Sequence, residues 1–409
     1  MSAGLQRAAW QSIPLIIVCG CLIAMLNFGP RSTLGFFLTP ISSANGWGRD
    51  VFGLAIAIQM LLWGAAQPFV GAIADRFGPV LVLSVGALLY AIGLSGMVFA
   101  STPGTMYLSA GVLVGFGLAG ASFTVVIGAF GKLLPPEWRT LSFGVGTAAS
   151  SFGQFLFSPL AVALNDVFNW WTTLLMFAGI VLLIMPLSLA LALPRNTETA
   201  AQRAAQQSVG AAFAEAIRHP SFILLVLGYF TCGFQVFFVT VHLPAYLVDR
   251  GLSADLGAYV IAVIGLFNII GSIGVGYLAN LMPKRYILAL IYFLRAVAVG
   301  AYIVLPPTTA TSIAFGAVMG LLWLSTIPPT QALVAVMFGT RWLTMLAGFA
   351  FFSHQVGGFV GVWLGGFLFE RTGSYDVLWL LFIVLGILSA LINLPIKEQP
   401  VVRPAAAAV

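Results

Sequence analysis

The sequence predicts an all-α integral membrane protein of twelve transmembrane helices, arranged as two six-helix bundles related by a pseudo-two-fold axis. Three observations carry this. Of the 409 residues, 60% are hydrophobic and 7% charged, whereas a soluble domain carries about 25% charged residues. The apolar residues gather in runs of about 20, the length a helix needs to cross the hydrocarbon core. The loop "GAIADRFGP" (71–79) is echoed by "GYLANLMPKR" (276–285), some 205 residues further on, as a parallel repeat of six helices requires. A β-barrel is excluded, because barrel strands alternate in units of about ten residues and these runs are continuously apolar.

With Gly, Pro and charge clusters as breaks, the spans fall as follows. The first runs over 13–37, behind "MSAGLQRAAWQ"; its apolar stretch is too long for a signal-peptide core and no small-residue cleavage site follows, so it is read as a retained span. The second (50–73) ends at the "GAIADRFGP" loop and the third (79–100) begins after it. The fourth (106–132) contains "GVLVGFGLAGAS", a small-x-x-small pattern that permits close helix contact, and Pro135-Pro136 breaks the chain before the fifth (140–164). After the sixth (171–193) comes the longest hydrophilic stretch, 194–220, expected to be a partly helical cytoplasmic linker between an N-terminal bundle (1–193) and a C-terminal bundle (221–409). The second half repeats the plan at 221–248, 255–280, 286–305, 310–337, 343–369 and 376–395, with Pro328-Pro329 expected to break or kink the tenth span.

Loop charges orient the chain. With both termini inside, twelve basic residues fall in cytoplasmic segments and three (Arg49, Arg250, Arg371) in outer ones, a clear positive-inside bias. The expected location is therefore the cytoplasmic (inner) membrane of a cell, multi-pass. The pI near 9.4 is explained by this topology, and no nucleic-acid partner follows from it. Cys19, Cys21 and Cys232 lie inside apolar runs with no pairing or metal-ligand spacing. No metal or cofactor is called for.

Two of the 17 basic residues remain, Arg31 and Arg295, and both lie within spans. Arg31 stands in "LNFGPRSTLGFF" (26–37), about 9 Å inside the outer end of the first span at about 1.5 Å per residue, with no acidic residue nearer in sequence than Asp50. Arg295 sits near the middle of the ninth. Burying arginine at the bilayer centre costs about 2.5–3.5 kcal/mol on insertion scales, so it persists where it meets a polar cavity or a partner. All eleven acidic residues fall in loops or at helix ends, so no carboxylate is expected at depth. Fixed positive charge without a counter-ion attracts an anion, and the guanidinium fork fits a carboxylate through two parallel hydrogen bonds. Two other readings stand beside this one: Arg31 snorkelling to the interface, and Arg295 acting as a brace that caps carbonyls between helices.

The motif Gly71-x-x-x-Asp75-Arg76-x-Gly78, with its weaker copy Gly276, Asn280, Lys284-Arg285, resembles the signature loop of the major facilitator superfamily, and twelve spans with a long central loop fit that family over the whole chain. There the glycine lets two helices approach, and the Asp caps a neighbouring helix and pairs with basic residues in one closed state. Within the superfamily, "FGPRSTLGFF" (28–37) and "WRTLSFGVGTAASSFGQ" (138–154) are similar to the monocarboxylate porter group, which includes bacterial lactate and oxalate carriers; Arg139, Gly144 and Gly153 match, and a lysine usually stands near the position of Arg31. The chain departs from the group in its reduced aromatic signature, Trp10, and in Asn268 and Ser272, which stand where animal members carry Asp and Arg. Proton coupling is therefore not carried over with the resemblance.

The resemblance implies a transport path lined by the first, fourth, seventh and tenth helices, with the second, fifth, eighth and eleventh beside them. Candidate substrate-binding residues are then Arg31, Asn27, Gln59, Gln154, Gln235, Asn268, Arg295, Trp323, His354 and Gln355. Gln59, Trp63 and Gln67 repeat at four-residue spacing and are expected to form one stripe. His354 and His242, the histidines within spans, are candidates for a coupling proton that arginine cannot carry, the alternative being a ring bonded to a backbone carbonyl. Gly71, Asp75, Arg76, Gly78 and Arg139 are the candidate gating residues.

The expected function is a secondary carrier of small organic anions, mono- or dicarboxylates, by alternating access, either proton-coupled or exchanging a counter-anion, and acting as a monomer. Enzyme activity is not expected: no nucleophile, base and orienter stand together, and no Walker-type loop supports ATP-driven pumping. The alternatives are a channel, which the two-fold repeat disfavours; an exporter of larger amphipathic compounds, which for cations needs a buried carboxylate; and a receptor, which needs a signalling domain.

Overall fold

The computed structural model describes residues 11–47, 49–193 and 207–401. Twelve helices in it are long and apolar enough to cross a membrane: Ile13–Phe37, Val51–Phe77, Pro79–Val98, Pro103–Leu133, Pro136–Val167, Trp170–Leu191, Pro220–Asp249, Tyr259–Leu281, Lys284–Val304, Thr309–Phe338, Leu343–Phe369 and Asp376–Asn393. No strand occurs among the described residues. Large apolar side chains on the outer faces, such as Phe69, Phe99 and Val304, are exposed, as lipid contact requires.

The helices start where local chemistry says they should. Ser12, Thr102 and Thr308 accept hydrogen bonds from first-turn N–H groups, and Pro79, Pro103, Pro136 and Pro220 begin their helices, where a missing N–H costs nothing. Gly78, at φ +94°, turns the chain between the second and third spans, in a region that L side chains rarely adopt.

Four spans are less regular than hydropathy alone implies; in the sixth, α-helix stops at Val181 and resumes only as a short helix, Ile184–Ser188, and a 3₁₀ turn, Leu189–Leu191. The α-helix of the first ends at Ser32, one residue past Arg31, and a 3₁₀ turn (Leu34–Phe37) leads into a short helix, Leu38–Asn45. The fourth opens through a π-helical stretch, Tyr107–Leu113. The tenth is broken: α-helix stops at Leu322 and resumes at Ile327, with Pro328 and Pro329 in the first turn of the second piece. Of the expected linker, 194–206 lies outside the described residues; beyond it, Ser208 caps a helix, Val209–Arg218. Phe213 of that helix stacks on Phe349 of the eleventh span at 4.5 Å.

The first six spans meet the last six along two seams. In one, the second span packs on the eleventh: a Cβ on Gly71 would lie 2.6 Å from the Thr344 carbonyl oxygen, so only glycine permits this approach. In the other, the fifth span packs on the eighth, with Gly144 against the Ser272 carbonyl and the Gly276 Cα. Both seams reach the end of the molecule that bears Asp75, called the Asp75 end below.

Candidate functional site

Arg31 occupies the last turn of the first α-helix, where the partial negative charge of the carbonyl end favours a cation. Its guanidinium carbon lies 5.9 Å from the Phe28 ring centroid and 5.5 Å from that of Trp63 on the second span. The cation is held against two aromatic faces, an attraction worth about 0.5–2 kcal/mol, and among the described residues its fork of N–H donors has no carboxylate partner.

From Trp63 an aromatic ladder crosses into the second half. Its indole is 5.2 Å from the Phe351 ring, and Phe351 stacks on His354 at 5.8 Å and 12°. The His354 ring also meets Tyr229 at 4.9 Å and Phe237 at 5.8 Å. Its Nδ1 is 3.4 Å from Gln355 Oε1, the Cys232 thiol is a neighbour, and Nε2, like Trp63 Nε1, is buried with no hydrogen-bond partner among the described residues. Gln355 in turn donates to the Met60 carbonyl of the second span at 3.4 Å. Arg31, Trp63, His354 and Gln355 thus share one locus between the halves.

The other candidates lie elsewhere. Asn27, one turn before Arg31, turns sideways and donates to the Leu118 carbonyl at 3.4 Å. The stripe on the second span splits: Gln59 donates to the Ala110 carbonyl at 2.9 Å and Gln67 to Ser122 Oγ at 2.8 Å, both on the fourth span, while Trp63 faces the eleventh. Gln154 sits partly buried on the fifth span. His242 Nε2 is 3.0 Å from the Val362 carbonyl, which is the carbonyl-bonded ring anticipated as its alternative.

Arg295 is 0% exposed and belongs to a second cluster, built around the break in the tenth span. Its Nε donates to the Leu322 carbonyl at 3.2 Å, Nη2 to the same oxygen at 2.6 Å and to the Trp323 carbonyl, and Nη1 to Gln235 Oε1 at 3.1 Å. Gln235 passes its own N–H to the Phe382 carbonyl at 3.1 Å. On the other side of the break, Asn268 Oδ1 accepts from the Leu324 N–H at 2.9 Å, and Asn268 Nδ2 donates to Ser151 Oγ of the fifth span at 2.6 Å. The Leu322 and Trp323 carbonyls and the Leu324 N–H, left over by the interrupted helix, are satisfied by these two side chains. Thr326, at the break, contacts Cys232 Sγ at 3.2 Å, a partner that the position of Cys232 in an apolar run does not reveal. Phe351 was passed over by sequence reading, although its place three residues before His354 puts both on one helix face.

At the Asp75 end the second span ends in a buried carboxylate. Asp75 Oδ1 takes Lys132 Nζ at 2.7 Å and Thr344 Oγ1 at 2.7 Å, and Oδ2 takes the Met345 N–H at 2.9 Å. One carboxylate therefore caps the start of the eleventh span while paired to the end of the fourth. Arg76 lies over the Phe77 ring at 5.2 Å, and Arg139 Nε donates to the Leu134 carbonyl at 3.0 Å.

A family profile described as Major Facilitator Superfamily matches residues 20–362. The chain belongs to the major facilitator superfamily. It is a transporter and not an enzyme. This superfamily member is 28% identical over 386 residues to the uncharacterized MFS-type transporter YcxA of Bacillus subtilis, covering 91% of each chain. It is 27% identical over 346 residues to human monocarboxylate transporter 11, covering 81% of this chain and 70% of that one. In fold it is similar to FucP in the outward conformation, with a TM-score of 0.75 at 15% identity and coverage of 95% and 99%, and to the proton:xylose symporter XylE, with a TM-score of 0.71 at 15% identity and coverage of 94% and 96%.

For a carrier of this superfamily the Asp75 contacts have a direct consequence. The Lys132 and Asp75 side chains are 10% and 0% exposed, and removing one partner of a buried ion pair costs about 3–5 kcal/mol. Asp75→Asn is expected to weaken closure at this end and to raise maleimide labelling of a cysteine placed at the buried Thr140 at least tenfold. Unchanged labelling refutes the lock.

Proposed function

We propose that the chain is a secondary active carrier of small organic monocarboxylates, working by alternating access with both termini in the cytoplasm. One observation carries the reading: Arg31 is a cation on the faces of Phe28 and Trp63, next to the Trp63–Phe351 contact that joins the halves, with its hydrogen-bonding fork unengaged by any described carboxylate. The substrate carboxylate supplies the missing charge through a bidentate contact, and its short apolar body lies against Phe28, Trp63 and Phe351. The relatives named for monocarboxylate transport support this class.

A single carboxylate is preferred over two. Arg295 already donates to Leu322, Trp323 and Gln235, which supports a bracing role and leaves one cation for cargo. His354, with its buried Nε2 unpartnered among the described residues, is the site for a co-transported proton; His242, bonded to Val362, is structural. A proton carried on His354 places a second positive charge beside the anion.

The test is uptake into proteoliposomes of labelled monocarboxylates and dicarboxylates, with and without a pH gradient. Monocarboxylate uptake is expected to be saturable and to rise when the entry side is acidified. That stimulation is lost in His354→Gln and kept in His242→Gln. Uptake no greater than in protein-free vesicles for every carboxylate refutes the substrate class; stimulation by a trapped counter-anion and not by pH refutes the proton.

A further inference from the structure

A cleft of about 280 Å³ opens at the Asp75 end between the halves, away from the Arg31 locus. Its floor is apolar, made by Phe143, Ala279, Ala332, Ala335 and Val336, and its polar walls are Arg139 and Thr140 of the fifth span, Asn280 at the end of the eighth and Lys284 at the start of the ninth. The two cations come from opposite halves. Two long helices also begin here, Pro136–Val167 and Lys284–Val304, and helix N-termini carry partial positive charge. Arg139 spends Nε on the Leu134 carbonyl and has the Glu137 carboxylate as a neighbouring charge; its two Nη groups remain for a further acceptor.

The chain's own tail indicates what this place attracts. Glu398 Oε1 accepts the Arg285 N–H at 2.8 Å, and its Oε2 is 3.8 Å from Lys284 Nζ. A carboxylate from the tail therefore sits at the helix start and shares one of the two cations with the cleft. The rim is closed by Asn280 Nδ2, which donates to the Glu137 carbonyl across the seam at 3.4 Å.

We propose that this cleft binds a small oxyanion, a phosphate or carboxylate group bridging Arg139 and Lys284, and that binding holds the two halves together at the Asp75 end. Because the walls belong to different halves, the site is complete only while that end is closed. An anion bound there slows the carrier by favouring one of its two states. Glu398 competes for Lys284, so the tail sets the affinity.

The test uses the full chain carrying Arg31→Gln, to silence the central locus, in neutral detergent. Its unfolding midpoint is followed against inorganic phosphate, with sodium chloride at matched ionic strength as control. Phosphate is expected to raise the midpoint saturably. Lys284→Gln should weaken the apparent dissociation constant roughly tenfold or more, as loss of a charged hydrogen-bond partner does, and Glu398→Gln should strengthen it. If Lys284→Gln does not fold, Glu398→Gln carries the test alone, since it frees the cation without removing it. Repeating the titration in nanodiscs separates sources: a phosphate constant raised by phosphatidylglycerol and not by phosphatidylcholine assigns the cleft to a lipid headgroup, and one independent of lipid assigns it to a soluble anion. A response equal to that of chloride, or unmoved by Lys284→Gln and by Glu398→Gln, overturns the proposal.

Discussion

Replacement of Arg31 by Gln abolishes carboxylate uptake while leaving the fold intact. The guanidinium touches Phe28 and Trp63 and pairs with no described acid, so its removal breaks no ion pair; a charge taken out of a partly buried place with no counter-ion removes a desolvation penalty as well as two ring contacts. Thermal stability should shift by less than about 1 kcal/mol. Binding is another matter. Losing one partner of a desolvated, hydrogen-bonded charge pair costs about 2–5 kcal/mol, so uptake at low substrate concentration should fall at least about 30-fold. Arg31→Lys keeps the charge and loses the planar fork, and should fall between the two. Wild-type uptake by a well-folded Arg31→Gln protein would remove Arg31 from the site.

The two arginines within spans also measure what the sequence can and cannot express. Both were found by the same signal, a cation at depth with no acid at hand, because that signal depends on position in a hydropathic run and on composition alone. Their surroundings could not be separated this way. Arg295 has no carboxylate because two backbone carbonyls take its place, and those are available only where the tenth helix breaks at Leu322. Pro328-Pro329 marked the neighbourhood of that break; nothing in a linear reading brings the ninth span against it. Asn268 is similar. Its polarity inside an apolar run was visible, whereas its partners, Leu324 on the tenth span and Ser151 in the other half, are set by packing. The spans themselves were legible to within about four residues at either end, since hydropathy and proline positions fix them locally. The Trp63 to Phe351 contact was not, because aromatic residues are common throughout the chain and only the seam selects this pair.

Replacement of Arg295 by Gln should therefore do the opposite of the Arg31 change. The side chain satisfies Leu322, Trp323 and Gln235 together, and each buried acceptor left without a donor costs about 1–3 kcal/mol. The carbonyl end of the helix Thr309–Leu322 also carries about half a negative charge that the guanidinium balances. A loss of about 3–5 kcal/mol in stability is expected, within the range for one partner of a buried charged network, and is read as a lowered unfolding midpoint and reduced membrane yield. Arg295→Lys keeps the charge, but a single ammonium cannot match the geometry of three acceptors, so it rescues in part. Combining Arg295→Gln with Gln235→Leu should cost less than the sum of the two, because both act on one network. The protein that remains folded should transport with an unchanged KM. An Arg295→Gln protein of normal stability with a raised KM would instead make Arg295 a ligand, and the cargo a dianion.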